Sequence, residues 1–207
     1  MYIPKYYKIT DVREIEDFIQ ANSFATLVTT KQGTPIATHL PLMFHKIGDD
    51  TYFTGHMAYG NPQWRTFESC GDVLVMFQGP HAYISSSWYA HENVPTWNYQ
   101  AVHMYGQATI LEKEELVEDL TMLLEKYEGN REKPVLWDTL SPELLETEMK
   151  GIVGFKIKID KIQAAYKLSQ NRNEEDYGHI IDQLKNEETP NSQQMAQLME
   201  QRCKKQR

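Results

Sequence analysis

The chain has 207 residues, a formal net charge of −8 and an ordinary 41% of hydrophobic residues. This composition is typical of a folded protein and excludes a largely disordered one, and the acidity argues against broad electrostatic binding to nucleic acid. The two cysteines, Cys70 and Cys203, are too far apart to indicate a metal knuckle, and no apolar run is long enough to span a bilayer. We therefore expect a cytoplasmic protein with no membrane partner.

The first part of the chain predicts a short helix followed by an antiparallel meander. Asp11 precedes Glu14 by three residues, the spacing of a helix cap, and apolar residues then recur at helical spacing as far as residue 21. Segments rich in β-branched and aromatic residues predict strands at 24–30, 35–46 and 51–56. The connections between these segments are too short for parallel crossovers, so we expect antiparallel pairing.

A second helix is predicted at about 61–70. Asn61 precedes Pro62, and Asn caps helices while Pro suits the first helical position. Helix N-termini attract anions, and His56 stands close to this one in the sequence, so the segment is a candidate anion site. The alternative is a plain connecting helix.

Aromatic residues and histidines are concentrated in residues 79–106. The segment contains Trp88, Tyr89, Trp97, Tyr99, His81, His91 and His103. Flat apolar side chains mixed with a few hydrogen-bonding groups are typical of a ligand pocket. The alternative is a hairpin whose aromatic side chains pack on the sheet and whose histidines face water.

The second half of the chain predicts two helices, a strand and two further helices. They lie at 113–127, 141–150, 151–162, 174–186 and 191–204. Six or more antiparallel strands with inserted and appended helices indicate an α+β fold built on a closed or nearly closed β-barrel.

Five motifs in this sequence resemble those of the PaiB family. They are ATHLPL (37–42), TGHMAYGNPQW (54–64), FQGPHAYISSSWY (77–89), VPTWNYQAVHMYG (94–106) and KLSQNR (167–172). Members of this family are described as negative transcriptional regulators with an FMN-binding split-barrel fold. The resemblance implies an antiparallel split β-barrel domain over 1–172. It would carry a helical insertion at about 113–150 and a C-terminal helical extension at 173–207.

The resemblance also implies FMN as the cofactor and places its binding residues. The ring system would lie near His39 and Leu40, and the ribityl and phosphate end near His56 and Asn61. The phosphate would be bound by Lys167, Ser169, Gln170 and Arg172. The walls of the cavity would be Trp88, Trp97 and Tyr99.

The chemistry of the KLSQNR motif suits a phosphate dianion, because Lys offers a point charge and Arg a planar fork. Residues 151–172 contain five basic residues and one acidic residue in an otherwise acidic chain. A basic segment of this size fits one phosphate group and is too small for a DNA duplex. The alternative is a strand end that carries surface cations.

The function implied by the resemblance is negative transcriptional regulation of protease synthesis and sporulation by a homodimer. The further partner would be promoter DNA, bound directly or through another protein, although no predicted helix pair shows a basic recognition face. The alternative function is an FMN-dependent oxidoreductase acting on a small molecule, and haem is a minor alternative cofactor. No spacing in the sequence predicts a metal site or a nucleophilic triad.

Overall fold

The computed structural model describes residues 1–48 and 50–205, which form eight β-strands and five α-helices. The strands are β1 (Lys8–Ile9), β2 (Phe24–Lys31), β3 (Thr34–Pro41), β4 (Met43–Ile47), β5 (Asp50–Ala58), β6 (Val73–Ile84), β7 (Thr96–Ile110) and β8 (Ile152–Lys167). The helices are α1 (Val12–Ala21), α2 (Lys113–Glu128), α3 (Pro142–Met149), α4 (Glu174–Asn186) and α5 (Pro190–Lys205). None of the described helices is long and apolar enough to cross a membrane.

The sheet follows the order β3-β2-β6-β7-β8-β5-β4, and β1 pairs with β8. This order has two ends, so the sheet is an open, split form of a barrel, and the predicted α+β class with an antiparallel split barrel is confirmed. The hairpin between β2 and β3 turns at Gln32 and Gly33, whose φ values are 50° and 80°. Two consecutive positive φ values match the twist of the flanking strands, and this explains the tight connection.

Two predicted elements differ from those in the structure. The segment 35–46 forms two strands, because Leu42 is buried between them and its N–H donates to the Ser23 carbonyl at 2.9 Å. The helix expected at 61–70 is a single three-ten helix, Pro62–Thr66. At the end of this three-ten helix, the Thr66 hydroxyl donates to the Gln63 carbonyl at 2.7 Å. This side-chain hydrogen bond competes with propagation of the helix.

The described residues divide into two compact units. Among the described residues, the first unit contains 1–22, 77–103 and 163–205, and the second contains 23–48, 50–76 and 104–162. Strands β6, β7 and β8 contribute residues to both. The division expected at residue 172, with its helical insertion and C-terminal extension, stays a prediction.

Each unit has its own buried aromatic contact. In the first, the rings of Phe18 and Tyr166 lie 5.4 Å apart between centroids; in the second, those of Phe67 and Phe155 also lie 5.4 Å apart. Strands β7 and β8 approach so closely in the second unit that a Cβ atom at Gly106 would lie 1.8 Å from the Lys158 carbonyl oxygen. Glycine is therefore required at position 106.

Candidate functional site

A tight turn follows β8 in the first unit and displays two cations. Ser169 has a φ of 60°, a left-handed conformation that is uncommon for a residue with a side chain. The Arg172 N–H donates to the Ser169 carbonyl at 3.0 Å, and the Leu168 N–H donates to Gln170 Oε1 at 2.7 Å. These bonds fold the motif back on itself, so Lys167 and Arg172 come close together.

The two cations have no carboxylate partner among the residues that the structure describes. Burial lowers the pKa of Lys167, and the positive charge of Arg172 lowers it further. The Lys167 ammonium donates to the Thr96 hydroxyl. Within residues 1–48 and 50–205, neither Lys167 nor Arg172 forms an ion pair with a carboxylate. Two adjacent cations without a counterion favour the binding of an anion.

Three tyrosines surround these cations. The Arg172 guanidinium carbon lies 4.6 Å from the centroid of the Tyr89 ring, and the Lys167 nitrogen lies 5.9 Å from that of Tyr7. Burial raises the pKa of Tyr7, Arg172 opposes this rise, and Tyr99 and Tyr89 add to it, so these groups lie within electrostatic range of one another. The arrangement places the rings of Tyr7 and Tyr89 against an ammonium and a guanidinium.

The Tyr89 hydroxyl is a buried hydrogen-bond donor of this cluster. It is buried and has no hydrogen-bond partner among the residues that the structure describes. The neighbouring Ala90 N–H donates to the buried carboxylate of Asp176 at 2.9 Å, which anchors this part of the chain at the start of α4. An unsatisfied buried hydroxyl is unfavourable unless a ligand or a water bonds to it.

The other predicted residues of the first unit have different surroundings. The Ser169 hydroxyl is buried and exchanges hydrogen bonds with Asn98 at 3.0 and 3.1 Å, and the Gln170 amide donates to the Tyr166 carbonyl at 2.5 Å. Trp97 is 53% exposed and packs against Tyr83, with ring centroids 5.8 Å apart. Trp88 ends the three-ten helix Ser86–Trp88. The ligand-binding roles of Ser169, Gln170, Trp88 and Trp97 stay predictions.

The predicted residues of the second unit lie on β3, β5 and the turn after β5. His39 is exposed, its Nδ1 lies 2.9 Å from the Thr26 hydroxyl, and Leu40 is buried. Asn61 caps the three-ten helix by accepting from the Gln63 N–H at 3.0 Å, and its amide donates to the Thr38 hydroxyl at 2.8 Å. These contacts satisfy Asn61 within the protein.

His56 differs from these residues because one ring nitrogen has no partner among the described residues. Burial lowers the pKa of His56, and the charge of Asp119 opposes the shift. Its Nδ1 is buried without a hydrogen-bond partner in the described part of the chain. The lowered pKa favours the neutral form of the imidazole ring, and its Nδ1 atom can form a hydrogen bond to a ligand.

Sequence reasoning missed a polar cluster on α2 and the strands beneath it. Asp119 is 1% exposed, accepts from the Thr54 hydroxyl, and has a second carboxylate oxygen without a partner among the described residues. His45 Nε2 lies 2.6 Å from the same hydroxyl. Residues 1–48 and 50–205 contain no group of three or more His, Cys, Asp or Glu residues that could hold a metal ion.

Comparison with known proteins identifies the family. A family model described as "Putative FMN-binding domain" matches residues 1–161. The chain is 72% identical over 206 residues to the protease synthase and sporulation protein PAI 2 of Bacillus subtilis (strain 168), covering 100% of each chain. The chain belongs to the PaiB family. The resemblance of its five motifs to this family is thereby confirmed.

The relatives described next are more distant from this PaiB-family chain. An uncharacterized protein of Aspergillus fumigatus is 28% identical, with 88% of this chain and 90% of that protein covered. Among solved structures, the flavocytochrome Anf3 from Azotobacter vinelandii has a TM-score of 0.62 at 18% identity, with 86% and 78% covered. The FAD and heme binding protein from Mycobacterium smegmatis has a TM-score of 0.58 at 15% identity, with 78% and 73% covered. These two likenesses concern the fold alone.

Proposed function

We propose that the protein is a negative regulator of protease synthesis and sporulation that binds FMN. The 72% identity along the whole chain to a protein named for protease synthesis and sporulation supports the regulatory role. The match to the FMN-binding family model supports the flavin. When bound, the flavin would supply a redox-active ring system that can also act as a sensor.

The observation that supports the flavin site most directly is that Lys167 and Arg172 lie close together and form no ion pair with a carboxylate of the described residues. Lys167 lies within electrostatic range of Arg172, and the Arg172 guanidinium lies over the ring of Tyr89, whose buried hydroxyl has no hydrogen-bond partner among the described residues. These groups match the needs of a phosphate monoester. The family model ends at residue 161, and the turn lies in the part of the chain matched by the Bacillus subtilis relative. As the resemblance implies, His39 and Leu40 stay in the proposal as contacts of the flavin ring system, and His56 and Asn61 as contacts of the ribityl and phosphate end.

A fluorescence titration of FMN and riboflavin tests the phosphate contact. A charge-assisted hydrogen bond contributes about 1.5–3 kcal/mol, so Arg172→Ala should weaken FMN binding by about one to two orders of magnitude. Riboflavin lacks the phosphate, and its affinity should hardly change. Arg131→Ala is the matched control, because Arg131 is exposed and pairs with Glu128.

Two results would count against the proposal. Equal losses for FMN and riboflavin in Arg172→Ala would mean that Arg172 supports the fold instead of the phosphate. A wild-type protein that binds neither ligand would leave regulation through macromolecular contacts as the whole function.

We propose that regulation involves a homodimer and promoter DNA, contacted through another protein. The basic end of α5 includes Arg202, whose guanidinium donates to Glu14 Oε1 at 3.1 Å, so this cation is already engaged. With a net charge of −8, the chain has little to offer the DNA backbone. A salt-sensitive mobility shift by the purified protein on candidate promoters would establish direct binding instead. Light scattering that shows a monomer at micromolar concentration would remove the dimer.

A flavin-dependent oxidoreductase is the second candidate function. The observation that favours it is the free, buried Nδ1 of His56, because such a nitrogen can bond to a flavin or ligate haem iron. Stopped-flow reduction of the FMN-loaded protein by NADH or NADPH tests the first possibility, and a haem titration read at the Soret band tests the second. A flavin that NADH and NADPH do not reduce would count against an enzyme.

A further inference from the structure

The second unit contains a groove whose residues have no part in the proposed flavin site. Two clefts, of about 710 and 420 Å³, share Gln107 and Thr109 in their walls and therefore adjoin. Both side chains project from the exposed face of β7, while Ala108 between them is buried. Volumes of this size are typical of sites for small molecules.

One end of the groove carries a stacked cation. The Arg65 guanidinium carbon lies 4.4 Å from the centroid of the Trp64 ring and 5.7 Å from that of Tyr59. The indole N–H of Trp64 donates to the Tyr59 carbonyl at 3.0 Å, which fixes the orientation of the ring beneath the guanidinium. Within residues 1–48 and 50–205, Arg65 forms no ion pair. Its outer face and its N–H groups are thus available to a ligand, and a guanidinium plane stacks well on aromatic rings.

The other end of the groove carries two lysines on β8. Lys156 pairs with Glu115 at 2.7 Å, and Lys158 pairs with Asp50 at 3.0 Å. Both pairs are exposed on the surface, and such pairs contribute little to stability. Each ammonium retains donors for a further anion. Gln107 and Thr109, between the two ends, offer neutral hydrogen-bonding groups.

We propose that this groove binds a nucleoside monophosphate. The base stacks on the guanidinium plane of Arg65, the phosphate lies against Lys156 and Lys158, and Gln107 and Thr109 bond to the sugar. A nucleoside monophosphate has a flat base and an anionic phosphate separated by a polar sugar. The groove has groups that suit these three parts in the same order. This site is separate from the one proposed for the flavin phosphate at Lys167 and Arg172.

Calorimetric titration of the full chain with AMP, adenosine and inorganic phosphate tests the proposal. AMP should bind, and Arg65→Ala should weaken it by about tenfold, the effect expected for one stacked base. Arg65→Lys should weaken AMP similarly, because it keeps the charge and loses the plane. Lys158→Ala should weaken AMP and leave adenosine unchanged. Arg131→Ala, an exposed arginine of the same unit outside both clefts, should change neither.

The variants have separable outcomes. Wild-type protein that binds no AMP at millimolar concentration would overturn the proposal, as would AMP binding that is unchanged in both Arg65 variants. A loss of AMP binding in Arg172→Ala but not in Arg65→Ala would place the nucleotide at the turn after β8 and also overturn it. The FMN titration of Arg172→Ala is unaffected by these results, so the flavin proposal stands or fails independently.

Discussion

The Arg172 guanidinium stacks on Tyr89, 4.6 Å from its ring centroid, while the Tyr89 hydroxyl is buried without a hydrogen-bond partner among the described residues. The ring and the hydroxyl therefore have different energetic roles. The ring supports the position of the cation, and the hydroxyl is unfavourable in the ligand-free protein. This difference gives the first prediction.

Tyr89→Phe should not destabilise the ligand-free protein. The variant keeps the ring under Arg172 and removes a buried unsatisfied hydroxyl, so the free energy of unfolding should stay the same or rise by about 1 kcal/mol. Tyr177→Phe is the contrasting variant, because the Tyr177 hydroxyl donates to the Met199 carbonyl at 3.0 Å and its loss should cost about 1 kcal/mol. Urea unfolding measures both. Similar destabilisation by the two variants would show that the Tyr89 hydroxyl has a partner in solution.

Ser169→Ala should destabilise the first unit whether or not Ser169 also contacts the phosphate. The Ser169 hydroxyl and the Asn98 amide are buried and bond to each other, so the variant removes the hydroxyl that donates to Asn98 Oδ1, at a cost of about 1–3 kcal/mol. Ser87→Ala is a control at an exposed serine. The readouts are the urea midpoint and the ratio of FMN to riboflavin affinity. A change in that ratio with unchanged stability would show instead that Ser169 contacts the phosphate.

Gly106→Ala should strongly destabilise the second unit. The new methyl group would meet the Lys158 carbonyl oxygen at 1.8 Å, so the two strands must separate, at a cost of about 3 kcal/mol. Gly60→Ala is the matched control, because no heavy atom lies within 4 Å of a Cβ atom at that position. Thermal melts followed by circular dichroism compare the two variants. Equal melting temperatures would contradict the close approach of β7 and β8.

Stability should fall on acidification because of two histidines. Burial lowers the pKa of His56 below the ordinary histidine value of 6.5, and burial together with the N-terminal charge lowers that of His103. The unfolded chain then binds more protons than the folded one at mildly acidic pH. Their contribution is complete above about pH 6.5 and declines as pH falls toward the lower folded-state pKa.

The measurement is the urea midpoint between pH 8 and pH 5 for wild type, His56→Gln and His103→Gln. Each variant should show a shallower decline than wild type. His179→Gln, at an exposed histidine, is the control and should follow the wild-type curve. Two variants that decline as steeply as wild type would show that other groups cause the pH dependence.

Local patterns in the sequence determined most of the elements and the family. Helix α1 follows from the Asp11 cap and the apolar spacing after it, since a cap and an amphipathic face act within a few residues of each other. The motifs around His56 and Lys167 identified the PaiB family and the split-barrel fold. The KLSQNR motif also indicated Lys167 and Arg172 as candidate phosphate-binding cations before any contact in the structure was known.

Only the tertiary structure decided which groups face those cations. Tyr7 precedes Lys167 by 160 residues, and no periodic or motif signal near Tyr7 points to an anion site. Ser169 and Gln170 are suitable phosphate donors by residue type. In the fold the Ser169 hydroxyl donates to Asn98, and the Gln170 amide donates to the Tyr166 carbonyl. Whether a polar side chain is available to a ligand depends on which residues from distant parts of the chain lie within hydrogen-bond distance of it. The fold decides which residues these are.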